Sequence, residues 1–356
     1  MIPVEPAASP LTPAPRAAPL PAARGALSEL VTTVLRGPAA EGCPGRVAAA
    51  LGVASRADPL GDDLQLALHT CYELHYQGFA DVDPDWEWQV DLLRLRAALE
   101  RAFLDRLRDG VAGGTDLDAE LEALLVEPVD GSGLSHQLRR EGTWEQVREL
   151  FAHRSIYQLK ESDPQAWVIP RLTGRAKAAL VAVEYDEFGA GRAERVHSRL
   201  FADLLAAAGL DARYGGYVEA VPGSTLAVVN LMSCLGLHRT HRAALVGHFA
   251  AGEIASSPGA RRMLQVLDRL DAPQACRTFY SEHVEADAVH EQLMRREVIG
   301  GLLDEEPGLR GEVVFGIQAA NFVDGRFTAW MRDRWQAGAS SLLWPLAPSG
   351  ARDHYS

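Results

Sequence analysis

The sequence predicts an all-α protein built as a helical bundle, and three observations support this fold class. Alanine, leucine, arginine and glutamate, which favour helices, supply much of the chain. Apolar residues recur at spacings of three and four in the long segments, as they do on one face of a helix. No segment alternates strongly with the period of a strand, and no hairpin or βαβ pattern stands out. A bundle is therefore the simplest architecture.

The composition restricts the class of partner. The chain has 356 residues, enough for one large or two ordinary domains. Its formal net charge is −13 at pH 7, and no block of lysine and arginine compensates for it. Nucleic acids and anionic membrane surfaces attract basic proteins, so neither is expected as a partner. We expect a small-molecule substrate instead.

The cysteines and the apolar segments indicate a cytoplasmic protein. The most apolar run, residues 225–237, is too short to span a bilayer, and the N-terminus lacks the pattern of a secretory signal. The four cysteines are far apart in the sequence and form no Cys-x-x-Cys pair, so neither a disulfide framework nor a zinc ribbon is indicated, which fits a reducing compartment. They are Cys43, Cys71, Cys234 and Cys276.

Two glycine- and aspartate-rich breaks, at 109–116 and 130–133, divide the chain. The predicted segments are a Pro/Ala-rich tail (1–25), an N-terminal helical extension (26–130), a main domain (134–335) and a C-terminal tail (336–356). Because the helical extension is apolar, we expect a homodimer.

After short predicted helices within about residues 25–51, the extension contains predicted helices at residues 62–77, 90–107 and 117–126. The helix at 62–77 begins with acidic residues and is followed by a glycine that ends it, and the helix at 90–107 carries leucines at helical spacing. Glu73 and His75 lie two positions apart on the helix at 62–77, so their side chains point about 160° apart and cannot share a metal ion. We expect structural or partner-facing roles for them.

The main domain contains a longer series of predicted helices. They cover residues 143–160, 170–187, 193–208, 225–237, 238–254, 258–270, the segment around 283–290, and 307–335. Thr143 is a candidate N-cap of the first, and Pro164 prevents its continuation. Glu161 therefore lies at a helix C-terminus, where the helix dipole disfavours a carboxylate unless a cation compensates.

Three metal-capable side chains share one face of the helix around residues 283–290. His283, Asp287 and His290 stand at i, i+4 and i+7, which keeps them within roughly 60° of one another. The alternative is a polar helix face that carries two histidines by chance. The presence of further ligands on other helices would favour a metal site over this alternative.

Other helices supply such ligands. Dinuclear iron or manganese sites in bundles combine carboxylates with imidazoles, and Glu161, Glu187 and His197 add to the triplet. Three carboxylates facing two divalent cations leave a net charge of about +1. Glu194 and His197 also form a Glu-x-x-His pair of the kind used in ferritin-like proteins, so Glu194 is an alternative to Glu187.

The joint pattern resembles the haem-oxygenase-like diiron oxidase and oxygenase superfamily, also described as iron-containing redox enzymes. The similar motifs are Glu161-Ser-Asp-Pro164, Ile169-Pro-Arg-Leu172, Asp186-Glu187-Phe-Gly-Ala-Gly191 with His197 ten residues after Glu187, and His283-x3-Asp287-x2-His290. The resemblance covers about residues 134–335 and implies a haem-oxygenase-like bundle. It also implies that two ferrous ions per chain are held by Glu161, Glu187, His197, His283, Asp287 and His290, with O₂ as co-substrate.

The resemblance implies oxidation of a small amine- or carboxylate-bearing metabolite in biosynthesis, either by oxygenation at nitrogen or by oxidative fragmentation or desaturation. A non-catalytic metal-binding or oxygen-sensing protein is the alternative, and a cofactorless oxidase on the same scaffold is a third hypothesis. Some members of the family take a histidine from the first helix in place of the one that matches His197. The nearest candidate in this chain is His153, which we interpret as a core residue or a neighbour of the metal ligands.

Other polar residues have weaker predicted roles. Glu253 is a candidate pocket residue facing Arg261 or Arg262. A second metal site at His238, His241 and His248 is disfavoured, because the arginines between them repel cations. Tyr157 and Tyr280 are candidates for the pocket wall, with packing in the core as the commoner explanation.

Overall fold

The computed structural model describes residues 17–126, 131 and 133–347, with the side chains of residues 285–288 excepted. Within those ranges the chain is helical and contains no strand, so the predicted all-α fold class is confirmed. Most of the predicted Pro/Ala-rich tail and the last part of the C-terminal tail lie outside the described residues. The side chain of Asp287 lies outside them as well.

Fifteen α-helices follow one another along the described residues. They are α1 (Ala26–Leu35), α2 (Pro44–Ala54), α3 (Asp62–Glu73), α4 (Val90–Gly110), α5 (Leu117–Leu125), α6 (Leu134–Glu141), α7 (Trp144–Gln158), α8 (Asp163–Ala166), α9 (Gly174–Glu187), α10 (His197–Ala207), α11 (Gly223–Leu237), α12 (Arg242–Arg269), α13 (Gln274–Gln292), α14 (Gly300–Glu305) and α15 (Arg310–Gln336). A π-helical segment, Leu293–Ile299, joins α13 to α14. No helix in these ranges is long and apolar enough to cross a membrane.

Helices α12 and α15 approach each other closely in the core, and α12 also packs against α13. A β-carbon added to Gly316 on α15 would lie 1.9 Å from the carbonyl oxygen of Ala244 on α12. Glycine therefore sets the separation of these two helices. The separate packing of α12 against α13 places α12 beside the helix that carries His283 and His290.

Helix α12 corrects one predicted boundary. The sequence predicted two helices, 238–254 and 258–270, whereas the chain forms one helix with Pro258 inside it. Proline removes one hydrogen bond of the helix. Ile254 and Ala260 are buried on either side of it, so packing against the core outweighs that local cost.

Helices α9 and α10 also begin later than predicted. A 3₁₀ turn, Ile169–Arg171, precedes α9, which starts at Gly174. Val196 has an extended backbone (φ −57°, ψ 128°), so α10 starts at His197 and not at residue 193. His197 thus stands at the first position of its helix and not in the second turn.

The N-terminal helices share a core with the main domain. The largest buried apolar cluster includes Leu64 and Phe103 from the extension together with Val147 and Leu245. Residues 17–24 lie against the surface, where Arg24 donates a hydrogen bond to the carbonyl of Val218. The proposed division near residue 130 stays a prediction, since the packing is continuous across it.

Candidate metal centre

Glu161, His197 and His283 form a first group of potential ligands. Each offers one atom, and these atoms lie within 4.8 Å of one another. His283 Nδ1 donates a hydrogen bond to the carbonyl of Phe279 at 2.8 Å, which places the proton on Nδ1 and leaves the Nε2 lone pair for a cation. Nε2 lies 3.7 Å from Glu161 Oε2. The group therefore offers one carboxylate and two imidazoles.

Glu161 is held in place after the end of α7. Gln158 Nε2 donates hydrogen bonds to both carboxylate oxygens, at 3.1 and 3.2 Å. Burial raises the pKa of Glu161, but the interaction with His283 and the charge of His197 outweigh burial and lower the pKa below its ordinary value. The unfavourable position at a helix C-terminus is thus compensated by the side chains with which Glu161 would share a cation.

Glu187, Glu253 and His290 form a second group, also within 4.8 Å of one another. His290 Nδ1 lies 2.9 Å from Glu253 Oε2 and 3.4 Å from Glu187 Oε1. His290 Nε2 lies 3.1 Å from Asp186 Oδ2 on the other side of the ring. A proton on Nε2, held by Asp186, leaves Nδ1 to face the two glutamates as a ligand.

Glu187 joins the two groups. Its Oε1 faces His290, whereas its Oε2 lies 2.8 Å from His197 Nδ1 in the first group. The rings of His197 and His283 are 4.6 Å apart between centroids. One carboxylate thus extends an oxygen into each group, which is the arrangement a ligand bridging two cations requires.

The turn after α9 explains how His197 reaches Glu187. Gly189 has φ 76°, a conformation that favours glycine, and a β-carbon there would lie 2.6 Å from the backbone nitrogen of Val196. The chain therefore folds back on itself directly after Glu187. This return places the first residue of α10 beside the last residue of α9.

The electrostatics of the centre favour a bound cation. Burial raises the pKa of Glu187 well above its ordinary range, and repulsion from Glu253 and Glu161 adds to the increase. Burial likewise raises the pKa of Glu184, one turn before Glu187, to about 8. Carboxylates crowded in a buried space are costly unless protonated or neutralised by positive charge. Two divalent cations would supply that charge, so the residues present fit a dinuclear metal site.

The structure brings together five of the six ligands expected from the sequence, namely Glu161, Glu187, His197, His283 and His290. The sixth, Asp287, belongs to α13, but its side chain is outside the described residues. Glu194, the alternative to Glu187, is exposed in a 3₁₀ turn and belongs to neither group.

Glu253 is the ligand candidate that sequence reasoning missed. The sequence suggested that it faces Arg261 or Arg262, whereas its carboxylate faces His290. Its side chain is only 12% exposed. The one local indication of a role for Glu253 in the site was its position as a carboxylate near the end of the mostly apolar first part of α12. Nothing in its spacing from His290, 37 residues later, indicates the contact.

The remaining histidines have other surroundings. His153 is buried between the hydroxyls of Thr225, at 2.7 Å, and Ser341, at 3.1 Å, so it is a core residue. His238 Nε2 lies 3.0 Å from Glu100 Oε2, and His248 is buried within α12. Over the described ranges these histidines contribute to no group of three ligand atoms.

The two tyrosines of interest differ in their surroundings. Tyr157 is surrounded by carboxylates: burial, followed by the charges of Glu161 and Glu187, raises the pKa of its phenol. Its hydroxyl accepts a hydrogen bond from Gln165 at 2.9 Å. Tyr280 packs against the ring of Phe151 in the aromatic core. Tyr157 therefore lies close to the centre, whereas Tyr280 packs as part of the core.

Comparison with known proteins places the chain in a family. A family model described as iron-containing redox enzyme matches residues 148–325, which contain both ligand groups. The chain is also 27% identical over 234 residues to a nitrosourea synthase from Streptomyces achromogenes subsp. streptozoticus, an alignment that covers 63% of this chain. The chain spans about half the length of that relative, since the alignment covers 50% of it. The family expected from the sequence motifs is thereby confirmed, and the chain belongs to the haem-oxygenase-like family of iron-containing redox enzymes.

Proposed function

We propose that this protein is a non-haem diiron oxidoreductase that uses O₂ to oxidise a small amine- or carboxylate-bearing metabolite in a biosynthetic pathway. The observation that carries the proposal is the pair of ligand groups joined by the two oxygens of Glu187. Carboxylates mixed with imidazoles suit iron, and the description of the family as iron-containing supports iron as the metal. The name of the related nitrosourea synthase favours chemistry at nitrogen.

Each group would hold one ion. Glu161, His197 and His283 would hold the first, and Glu253 and His290 the second, with Glu187 between them. We assign Asp287 to the same shell from its position in the sequence triplet. Two ferrous ions held there would supply electrons for the reduction of O₂.

The protein contributes geometry and exclusion of water. Gln158 orients the carboxylate of Glu161, and Asp186 orients the ring of His290. The side chains of Glu187 and His197 are each 4% exposed, so solvent is largely kept from the reacting centre. A site that excludes water strengthens the electrostatic interactions within it and protects reactive species from hydrolysis.

The experiment that tests this proposal measures product formation. The chain is loaded anaerobically with ferrous iron and mixed with O₂ in the presence of amino acids, guanidines, primary amines or fatty acids. We expect at least one class to accelerate O₂ uptake and to yield an oxidised product, and we expect chelation of iron or the Glu187→Ala substitution to abolish both. Bound iron without turnover of any class would support a binding or sensing protein, and turnover that survives chelation would support a cofactorless oxidase.

A further inference from the structure

Three consecutive buried residues follow α7 and contact three different helices. Lys160, Glu161 and Ser162 are 2%, 8% and 0% exposed. Glu161 faces His283 on α13, and the hydroxyl of Ser162 donates a hydrogen bond to Glu184 on α9 at 3.0 Å. Lys160 instead pairs with Glu73, the last residue of α3 in the N-terminal extension. The turn that carries a metal ligand is thus held from three directions.

The Lys160–Glu73 pair is secluded from solvent. The two side chains are 1% and 4% exposed, and the ammonium lies 4.3 Å from the centre of the Tyr76 ring. The hydroxyl of Tyr214 donates a hydrogen bond to the second oxygen of Glu73. His69 Nε2 lies 3.8 Å from the first oxygen. Both charges therefore have fixed partners, as burial requires.

Such a pair is an inefficient way to stabilise a fold. Removing two charges from water costs as much as their attraction returns in many proteins, and an apolar pair of equal volume often serves as well. A buried ion pair nevertheless admits few geometries, so it fixes the positions of the segments that carry it. In this chain it fixes the residue next to Glu161 against α3.

We infer that Glu73 and Lys160 are positioning residues of the metal centre: α3 of the N-terminal extension holds, through this pair, the turn that presents Glu161 to the first ligand group. The inference rests on the proposed function. It gives a role to α3, which lies outside the matched residues 148–325. It also gives Glu73, for which the sequence indicated only a structural or partner-facing role, a specific contact.

The test separates positioning from stability. The variants are Glu73→Gln, Lys160→Met and the double variant, which removes both buried charges together. The control is Glu100→Gln: Glu100 is 4% exposed in the same extension, but it pairs with Arg96 and faces His238. Anaerobic ferrous titration against a chromogenic chelator measures the affinity of each iron, and thermal unfolding of the metal-free chain measures stability.

We expect both single variants to lower the affinity for one of the two irons by about ten-fold or more, the effect typical of residues that orient metal ligands. The double variant should recover melting temperature relative to the single variants, because no unpaired charge remains, yet it should still bind that iron weakly. Glu100→Gln should keep both affinities even where its melting temperature falls. If a single variant fails to fold, the double variant carries the comparison.

The inference is overturned if the double variant binds both irons with wild-type affinity. It is also overturned if Glu100→Gln loses as much affinity as the other variants at equal loss of melting temperature. A wild-type chain that binds no iron contradicts the proposed function itself, and the inference falls with it. A wild-type chain that binds two irons beside unaffected variants contradicts the inference alone.

Discussion

Asp186 shows how a residue outside the ligand groups controls one inside. Its side chain is 51% exposed, yet it lies 3.1 Å from Nε2 of His290, which is 2% exposed. A carboxylate on one ring nitrogen fixes the tautomer, turns the ring and increases the basicity of the other nitrogen. That other nitrogen, Nδ1, faces Glu187 and Glu253.

We therefore predict that Asp186→Ala lowers the affinity for the iron held by His290 by about ten- to a hundred-fold. Asp186→Asn keeps an oxygen that accepts a hydrogen bond and should lose less. Competitive ferrous titration under anaerobic conditions measures both. Asp203→Ala is the matched control, since Asp203 is an aspartate 47% exposed that pairs with Arg199 on the surface. Equal affinities for iron in Asp186→Ala and the control would refute the role assigned to Asp186.

At the scale of single residues, the sequence indicated the candidate ligands that lie within short motifs. His283 and His290 share a helix face, and Glu187 and His197 are joined by a short glycine-rich turn, so local spacing carried the information. Glu253 was missed because only the packing of α12 against α13 brings it to His290. Contacts of that kind depend on the positions of whole helices, which no local pattern specifies.

Helices α12, α13 and α15 form the support on which the centre rests. Glu253 projects from α12, and His283 and His290 belong to α13. The separation of α12 and α15 depends on glycine, because a β-carbon at Gly316 would lie 1.9 Å from a backbone oxygen of α12. Backbone atoms cannot yield to such a contact without moving the helix.

We predict that Gly316→Ala destabilises the metal-free chain by about 1–3 kcal/mol, the usual cost of overpacking a core. Gly325→Ala on the same helix is the control: beyond the backbone of its own helix and its chain neighbours, no atom lies within 4 Å of the added β-carbon, and a helix gains up to about 1 kcal/mol from the change. Denaturant unfolding measures both variants. If Gly316→Ala were as stable as Gly325→Ala, α12 and α15 could move apart without a cost in the free energy of unfolding.

At the scale of helices, the sequence predicted the existence of the long elements better than their ends. Apolar periodicity and glycine or proline stops located α3, α4 and α7. Pro258 suggested a break that burial on both sides of it prevents, and the extended residue Val196 delays the start of α10. Tertiary packing and turn geometry decided these boundaries, and neither leaves a strong local signal.

At the scale of the whole molecule, the predicted all-α class and the family are confirmed, and the packing adds an unexpected connection. The N-terminal helices share the core of the main domain, and α3 contributes the buried partner of Lys160. The motifs that indicated the family begin at Glu161 and carry no information about this contact. The role of the extension therefore became visible only from the tertiary structure.

In the proposed centre, one chain holds two irons between α9, α10, α12, α13 and the turn after α7. Anaerobic ferrous titration followed by Mössbauer spectroscopy of the ⁵⁷Fe-loaded chain tests it most directly. We predict two ferrous ions per wild-type chain, fewer than two in Glu187→Ala and in His283→Ala, and magnetic coupling between the ions after exposure to O₂. Two irons bound by both variants, or no more than one bound by the wild type at saturation, would contradict the account.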